Sequence, residues 1–399
     1  MRRTTRPSVG LFTYSTLPRG SVVHTAYLAD ALHDAGWDAT VYALDKDRRG
    51  FFRPLRAKVC LVPAAPTPRS TADLVRVRAV EMADYLTRRQ PAHDVWHAED
   101  CLTANGLLQL RDHGQRLELV RTVHHVERFD DPYLAACQER SIREAAVCLA
   151  VSRAAVDDVG RTFGVDASLV ANGVCVDRFA LPDLERVRTW ADRLGLAPRR
   201  GPLLLAVGGV EERKNTLRTL RAFARVHEGR PGARLVILGG ATVLDHGAYR
   251  AAFDRELAAM PPAARGAVIE TGVVADDDVP AIFALASVLV FPSLHEGFGL
   301  AALEALAARV PLVASNRPPL TEFLDASCAV LVDPDSEDAI ARGVLLALGG
   351  SLDRVRAGAR VAERHSWERV AMAHVARYRQ HLRARSEPAA ANARVCSER

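Results

Sequence analysis

Glu296 and Glu304 stand eight residues apart, one in the turn His295-Glu296-Gly297-Phe298-Gly299-Leu300 and the other inside Leu300-Ala301-Ala302-Leu303-Glu304-Ala305-Leu306-Ala307-Ala308. The second segment is built of strong helix formers. The stretch before the turn, Ser287-Val288-Leu289-Val290-Phe291-Pro292-Ser293, has the length and β-branched content of a buried parallel strand. Two glycines therefore sit where a strand gives way to a helix, at the carboxyl edge of a sheet, where open α/β sheets bind ligands. Glycine there lets backbone N–H groups approach a phosphate at the positive end of the helix dipole. Alanine and leucine surround Glu304 on every face of its helix, and a carboxylate so placed needs a hydrogen-bonded partner or is costly. A turn whose glycines only bend the chain explains neither glutamate. A carboxylate at each end of a phosphate-binding helix start suits a ligand with hydroxyls on both sides of its phosphates. A nucleotide sugar has that layout: ribose, diphosphate, hexose.

The same pattern of strand and helix runs through the chain and divides it in two. Strands are expected at residues 9–14, 39–43, 59–62, 94–97, 119–123 and 147–151, with helices between them such as 22–35 and 71–89. It restarts with a strand at 203–208 and a helix at 217–226, then strands at 234–238, 267–271, 288–291 and 312–314. Strand alternating with helix makes a doubly wound parallel sheet. The expected division is an N-terminal domain over 1–180, a linker over 181–200 and a C-terminal domain over 201–366. A final helix over 367–385, apolar at 370, 371, 375 and 378, and a disordered tail over 386–399 complete it. The hinge is placed near Asn172.

Further candidates lie at strand ends. Arg213 and Lys214 follow the strand at 203–208, and lysine is the rare choice in a chain with only three of them. Adjacent cations facing a diphosphate make charge-assisted hydrogen bonds, though a solvated helix start is the ordinary fate of such a pair. His124 and His125 end the strand at 119–123, and His97 ends that at 94–97; a buried, satisfied histidine is the plain alternative for each. Segment 46–58 gathers six basic residues around Phe51 and Phe52. A basic loop folded over its own domain is the favoured account, and weak peripheral contact with anionic lipid the alternative.

Composition narrows the classes. A net charge of +5 over 399 residues is far from a dedicated nucleic-acid binder, so no nucleic acid is expected as partner. The bias toward arginine fits a GC-rich bacterium. Seven scattered cysteines without a C-x-x-C pair argue against a disulfide framework or a zinc site. No apolar run of about eighteen residues exists to span a bilayer, and a cytoplasmic protein is expected, with the inner membrane face as the alternative. There is no P-loop and no dinucleotide fingerprint, and neither H-E-x-x-H nor D-x-D suggests a metal.

The order of landmarks resembles the retaining glycosyltransferases of family 4. The resemblance rests on the E-x7-E signature in HEGFGLAALEAL, on Pro311-Leu312-Val313-Ala314-Ser315 with Glu322, on Asn172-Gly173-Val174 with Asp177-Arg178-Phe179, and on Pro18-Arg19-Gly20-Ser21-Val22-Val23-His24. It implies the GT-B fold: α/β, two facing Rossmann-like domains of doubly wound parallel sheet, with a C-terminal helix packing back on the first. It also implies roles. Glu296 would hold the donor hexose, with Gly297 and the amides of Phe298, Gly299 and Leu300 beside it and at the distal phosphate. Glu304 would hold the ribose, Val274 would line the base, and Gly208 and Gly209 would approach the diphosphate that Lys214 neutralises. Gly20 and Ser21 would face the phosphates from the first domain, and His124 would approach the reacting sugar, with His24, His97 and His125 toward the acceptor. Two departures stand out. The family's arginine after Gly208 is replaced by Gly209, so its role passes to Arg213, and Arg309 takes a usual glycine position. The implied reaction moves a hexose from a UDP-, GDP- or ADP-linked donor to an acceptor hydroxyl with retention, the acceptor itself being open. Closure about Asn172 would exclude water. No cofactor and no metal are expected. A GT-B sugar-nucleotide epimerase and an inactive sugar-nucleotide-binding subunit are the alternatives.

Overall fold

Near-continuous Val, Leu, Ile and Ala runs form the strands, because a parallel sheet covered by helices on both faces buries each strand entirely. The structure, a computed structural model, describes residues 6–68, 70–196, 201–240 and 247–397, with side chains to residue 385. It divides into two units, residues 1–172 with 367–399, and residues 173–366.

The first unit holds β1 (Ser8–Thr13), β2 (Asp38–Asp45), β3 (Lys58–Pro63), β4 (Val95–Ala98), β5 (Leu119–Val123), β6 (Val147–Ala150) and β7 (Ser168–Leu169). They pair in parallel in the order β3-β2-β1-β4-β5-β6-β7. The second unit holds β8 (Leu203–Val207), β9 (Arg234–Leu238), β10 (Val268–Gly272), β11 (Val288–Phe291), β12 (Leu312–Ser315) and β13 (Val330–Val332). Its parallel order is β10-β9-β8-β11-β12-β13. Each order reverses once, between β1 and β4 and between β8 and β11. Chain direction splits at those two points and opens a crevice at the carboxyl ends of the strands. The expected α/β architecture of two doubly wound parallel sheets is therefore observed, with β7 and β13 added. Both are too short, at two and three residues, to leave a periodic signal.

In the first unit Phe12 stacks on Tyr42 and Trp96 at 4.8 and 5.6 Å, inside a cluster completed by Met82, Leu86, Leu107 and Leu119. The helix Trp367–Ser397 packs back on this unit: Trp367 stacks on Tyr27 at 5.7 Å and fully buried Tyr378 meets Trp37 at 5.4 Å. The second core gathers Leu220, Phe223, Leu235, Ile237, Phe253, Val288 and Ile340.

Three boundaries differ from expectation. The stretch 181–200 is no free linker. Its helix Leu184–Arg193 belongs to the second unit, where Arg186 Nη1 meets Asp278 Oδ1 at 2.5 Å and Arg178 Nη2 meets Asp276 Oδ2 at 2.9 Å. The division falls at 172, beside the expected hinge position, rather than at 180. The expected tail from residue 386 is helical backbone as far as Ser397, since its Ala- and Arg-rich composition favours helix; residues 398–399 of that tail lie outside the described residues, as do 197–200 of the linker.

Segment 46–58 folds over its own domain. Arg53 pairs with Asp30 at 2.9 Å and lies over the Tyr27 ring at 4.4 Å, Arg56 pairs with Asp34 at 2.7 Å, and Lys58 pairs with Asp38 at 2.9 Å. The helix Gly20–Asp34 thus pairs with two of the six basic residues, and β2 with a third. No helix among the described residues is long and apolar enough to cross a membrane.

Candidate active site

In the second unit the loops after β8 and β11, neighbours at the switch point, are laced together. The backbone N–H of Leu294 donates to the carbonyl of Arg213 at 2.8 Å. Asn215 adopts a left-handed conformation with φ of 60°, and its Nδ2 donates to the carbonyls of Pro292 at 3.0 Å and Pro334 at 2.6 Å. This clamp carries Lys214 to Glu296: Nζ lies 2.6 Å from Oε1, with the Phe291 ring 4.8 Å from the ammonium. Both side chains are nearly buried. Burial alone would raise the Glu296 carboxyl, but Lys214 and Arg213 hold it below its usual value. Burial also pulls the Lys214 ammonium down, against Glu296. Arg213 is half-exposed; its Nε lies 3.1 Å from buried Glu211 and its Nη1 3.7 Å from Glu296. Two carboxylates and two cations therefore meet at the sheet edge, and the cations that the sequence aims at a diphosphate lie against Glu296 and Glu211.

Glycines let the backbone close around them. A Cβ on Gly208, at φ of 117°, would meet Lys214 Cε at 2.8 Å, so glycine leaves room for the lysine stem. At Gly209, with φ of 75°, a Cβ would meet the Gly240 carbonyl at 2.7 Å. The loop as folded has no place for the family's arginine there. Gly240 in turn lies against Val273, and a Cβ on it would meet Val273 Cγ2 at 2.5 Å. Val274 is the next residue along the chain. Gly299 caps the helix Leu300–Ala307 at φ of 111°. Phe298 is buried and stacked on Phe323 at 4.9 Å, so only its backbone is left to meet a ligand. Gly297 and Leu300 flank this start. Glu304 lies one turn farther along that helix. Burial pushes its carboxyl up to about 7 against Arg178 and Lys214, with Asp276 adding to the rise.

In the first unit the helix Gly20–Asp34 starts two residues earlier than expected, so Gly20 and Ser21 are its first turn instead of a loop, and Gly20 has open space around it. The same helix delivers His24 to the switch point between β1 and β4. There Glu99, wholly buried, gathers three imidazoles: His124 Nε2 lies 3.0 Å from its Oε2, His24 Nε2 3.7 Å from Oε2, and His97 Nε2 3.6 Å from Oε1. His24 Nδ1 lies 2.9 Å from Asn172 Oδ1, and His97 is held by Tyr378 Oη at 2.6 Å and Thr122 Oγ1 at 2.7 Å. Burial lowers His24 to about 3 and holds His97 and His124 well below the usual imidazole range.

His24 and His97 are both enclosed, which corrects their expected place facing an acceptor: His374 packs on both rings and Trp367 on His24, so neither lies open to an acceptor. His125 turns outward and pairs with Glu127 at 2.7 Å, an exposed contact. His124 alone of the four keeps partial access. His24, Glu99 and His124 offer ligand atoms within 4.8 Å of one another, a set that could hold a divalent ion. Sequence reasoning gave no role to Glu99, Glu211, Asn215 or Gly240, although Glu211 and Asn215 bound the E-x-R-K-N run that holds Arg213 and Lys214. Glu99 left a fainter trace, as an acidic residue directly after a strand.

The family model described as Glycosyl transferases group 1 matches residues 192–364, and that described as Glycosyltransferase Family 4 matches residues 18–178. The chain is 32% identical over 276 residues to the D-inositol 3-phosphate glycosyltransferase of Xylanimonas cellulosilytica, spanning 64% of each protein. Sucrose-phosphate synthase from Thermosynechococcus elongatus has a similar fold, with a TM-score of 0.78, 20% identity, and coverage of 95% of this chain and all of that one. HepE from Anabaena, solved in complex with UDP-glucose, gives a TM-score of 0.71 at 16% identity, covering 95% of this chain and 99% of that one.

Proposed function

Because the chain belongs to the group 1, family 4 glycosyltransferases, we propose that it moves a hexose from a nucleotide-sugar donor to an acceptor hydroxyl, with retention and without a metal. The observation that carries this reading is the buried Lys214–Glu296 pair beside Arg213, at the start of the helix that bears Glu304. Its charges match a donor in order. Glu304 takes the ribose, Lys214, Arg213 and the helix start take the diphosphate, and Glu296 takes the hexose hydroxyls. Structures of similar fold that hold UDP-glucose support a nucleotide sugar as the donor class.

The reaction is a front-face substitution. As the bond from the anomeric carbon to the departing phosphate oxygen breaks, negative charge grows on the diphosphate. Lys214 and Arg213 meet that charge from fixed positions, so no solvent has to reorganise, and leaving-group stabilisation is the main catalytic contribution. The acceptor oxygen forms the new bond on the same face, and its proton passes to the leaving phosphate. Glu296 orients the sugar and favours positive charge at its ring without bonding to carbon.

Thermal shift with UDP, GDP and ADP tests the donor site, since a ligand that binds only the folded chain raises its midpoint. One nucleotide is expected to stabilise, and the matching sugar nucleotide with a polyol acceptor to yield an α-linked product that survives EDTA. Stabilisation by none of them, or turnover that EDTA abolishes and magnesium restores, would overturn the reading.

A further inference from the structure

Glu99 has no part in the chemistry assigned so far, yet it is the centre of the first unit's polar core. Its side chain is sealed from solvent, and its one hydrogen bond within normal range is to His124 Nε2, at 3.0 Å. The second oxygen, Oε1, is enclosed without a hydrogen-bond partner, and so is His24 Nε2. His124 differs from its neighbours. Its other nitrogen, Nδ1, takes no hydrogen bond from the described residues and is not among the enclosed, unpartnered atoms. That nitrogen is the one left to meet a ligand. The partner of one ring nitrogen decides whether the other carries a proton, so Glu99 decides what His124 shows.

Buried Arg121, donating to the Thr122 carbonyl, supplies positive charge near Glu99, which a buried carboxylate requires. His24 adds no proton to the contact if its Nδ1–H donates to Asn172 Oδ1. We propose that Glu99 is a positioning residue: its carboxylate accepts the Nε2–H of His124, fixing the ring so that the bare lone pair of Nδ1 faces the substrate. Its effect on turnover rests on the glycosyltransferase reading; the tautomer does not.

Nitrogen-15 NMR of histidine-labelled full-length protein, with His124 assigned through His124→Gln, reads the tautomer directly. The Nε2–H form is expected for His124 at neutral pH. An Nδ1–H form would overturn the proposal, as would one zinc per purified chain coupled to the His24 and His124 signals, because an ion would then hold the place of the proton. Glu99→Gln keeps shape but replaces an oxygen with a donor, so it should raise the Nδ1–H population. In that variant kcat should fall roughly tenfold to a hundredfold, the scale known for losing the partner that orients a metal-bound imidazole, with the donor KM little changed. Unchanged kcat in Glu99→Gln, when His124→Ala is impaired, sinks Glu99's role and leaves the functional reading intact. Absence of any sugar transfer sinks that reading, and the tautomer still decides the Glu99–His124 contact.

Discussion

Lys214 Nζ and Glu296 Oε1 lie 2.6 Å apart although they come from loops after two different strands, β8 and β11. Breaking such a nearly buried pair leaves the surviving charge without compensation. Variants here are therefore best chosen to keep size and polarity. Lys214→Met should lower kcat about a hundredfold, the scale of losing one preorganised stabilising group. Glu296→Gln should spare binding of the bare nucleotide and lower turnover, because its partner is the sugar. Calorimetry in which Glu296→Gln weakens the nucleotide as much as a Glu304 variant does would show the two glutamates doing one job.

Glu304 gives a pH signature. Its folded carboxyl is raised to about 7 by burial, so between its ordinary range and about 7 the folded chain binds more protons than the unfolded one. The stability it contributes is complete at acid pH and lost as pH rises through about 7. Glu304→Gln removes that dependence, so its melting midpoint should gain on the unaltered protein between pH 5 and pH 8. Nucleoside diphosphate affinity should rise over the same window in the unaltered protein only, since the ionised carboxylate is the better ribose acceptor. Parallel pH curves for the two proteins would remove the assignment.

In the proposed scheme Arg213 takes the part of the arginine that a Cβ clash with the Gly240 carbonyl keeps from Gly209. Arg213→Ala should cost turnover on a scale comparable to Lys214→Met, and Arg213→Lys should restore part of it, because an ammonium lacks the planar fork. Gly209→Arg in the Arg213→Ala background should not rescue, given the Gly240 carbonyl 2.7 Å from any Cβ there. Steady-state kinetics that show rescue would mean the loop opens to admit the side chain.

The imidazole cluster should make the first unit labile to acid. Burial holds His24 near 3 and His374 near 4, below their unfolded value. As pH falls from about 6.5 toward 4, the unfolded chain takes up protons the folded one refuses, and stability drops. Asp100, raised to about 6 by burial, opposes part of this. Hydrogen-exchange protection energies at pH 7.5 and pH 5 should fall more in residues 6–172 than in 201–366, and His374→Leu should flatten the difference. Equal losses in both units would contradict it.

Much of this was legible in the sequence because it is local. Strand, turn and helix around Glu296 follow from a β-branched run, two glycines and an Ala-Leu segment. Arg213 and Lys214 were placed by the strand before them. What stayed hidden depends on distance through space. His24, Glu99 and His124 are separated by 75 and 25 residues, and only the β1–β4 switch point unites them. Helical phase at His24 and a strand end at His97 suggest ligand contact equally with burial; Trp367 and His374, brought by a helix from the far end of the chain, decide for burial. The exclusion of a side chain at Gly209 rests on a carbonyl thirty-one residues away.

Asn215 joins the loops after β8, β11 and β13 through one carboxamide. Those loops cannot wander separately while both its N–H bonds are made. The cations and Glu296 are then held at fixed spacing before any donor arrives, and binding need not spend free energy on ordering them. Asn215 touches no substrate in this scheme, yet its loss would reach turnover through misplacement of charge, and a shift of an ångström is enough for that. Fidelity of the leaving-group site thus resides in a residue whose own chemistry is inert.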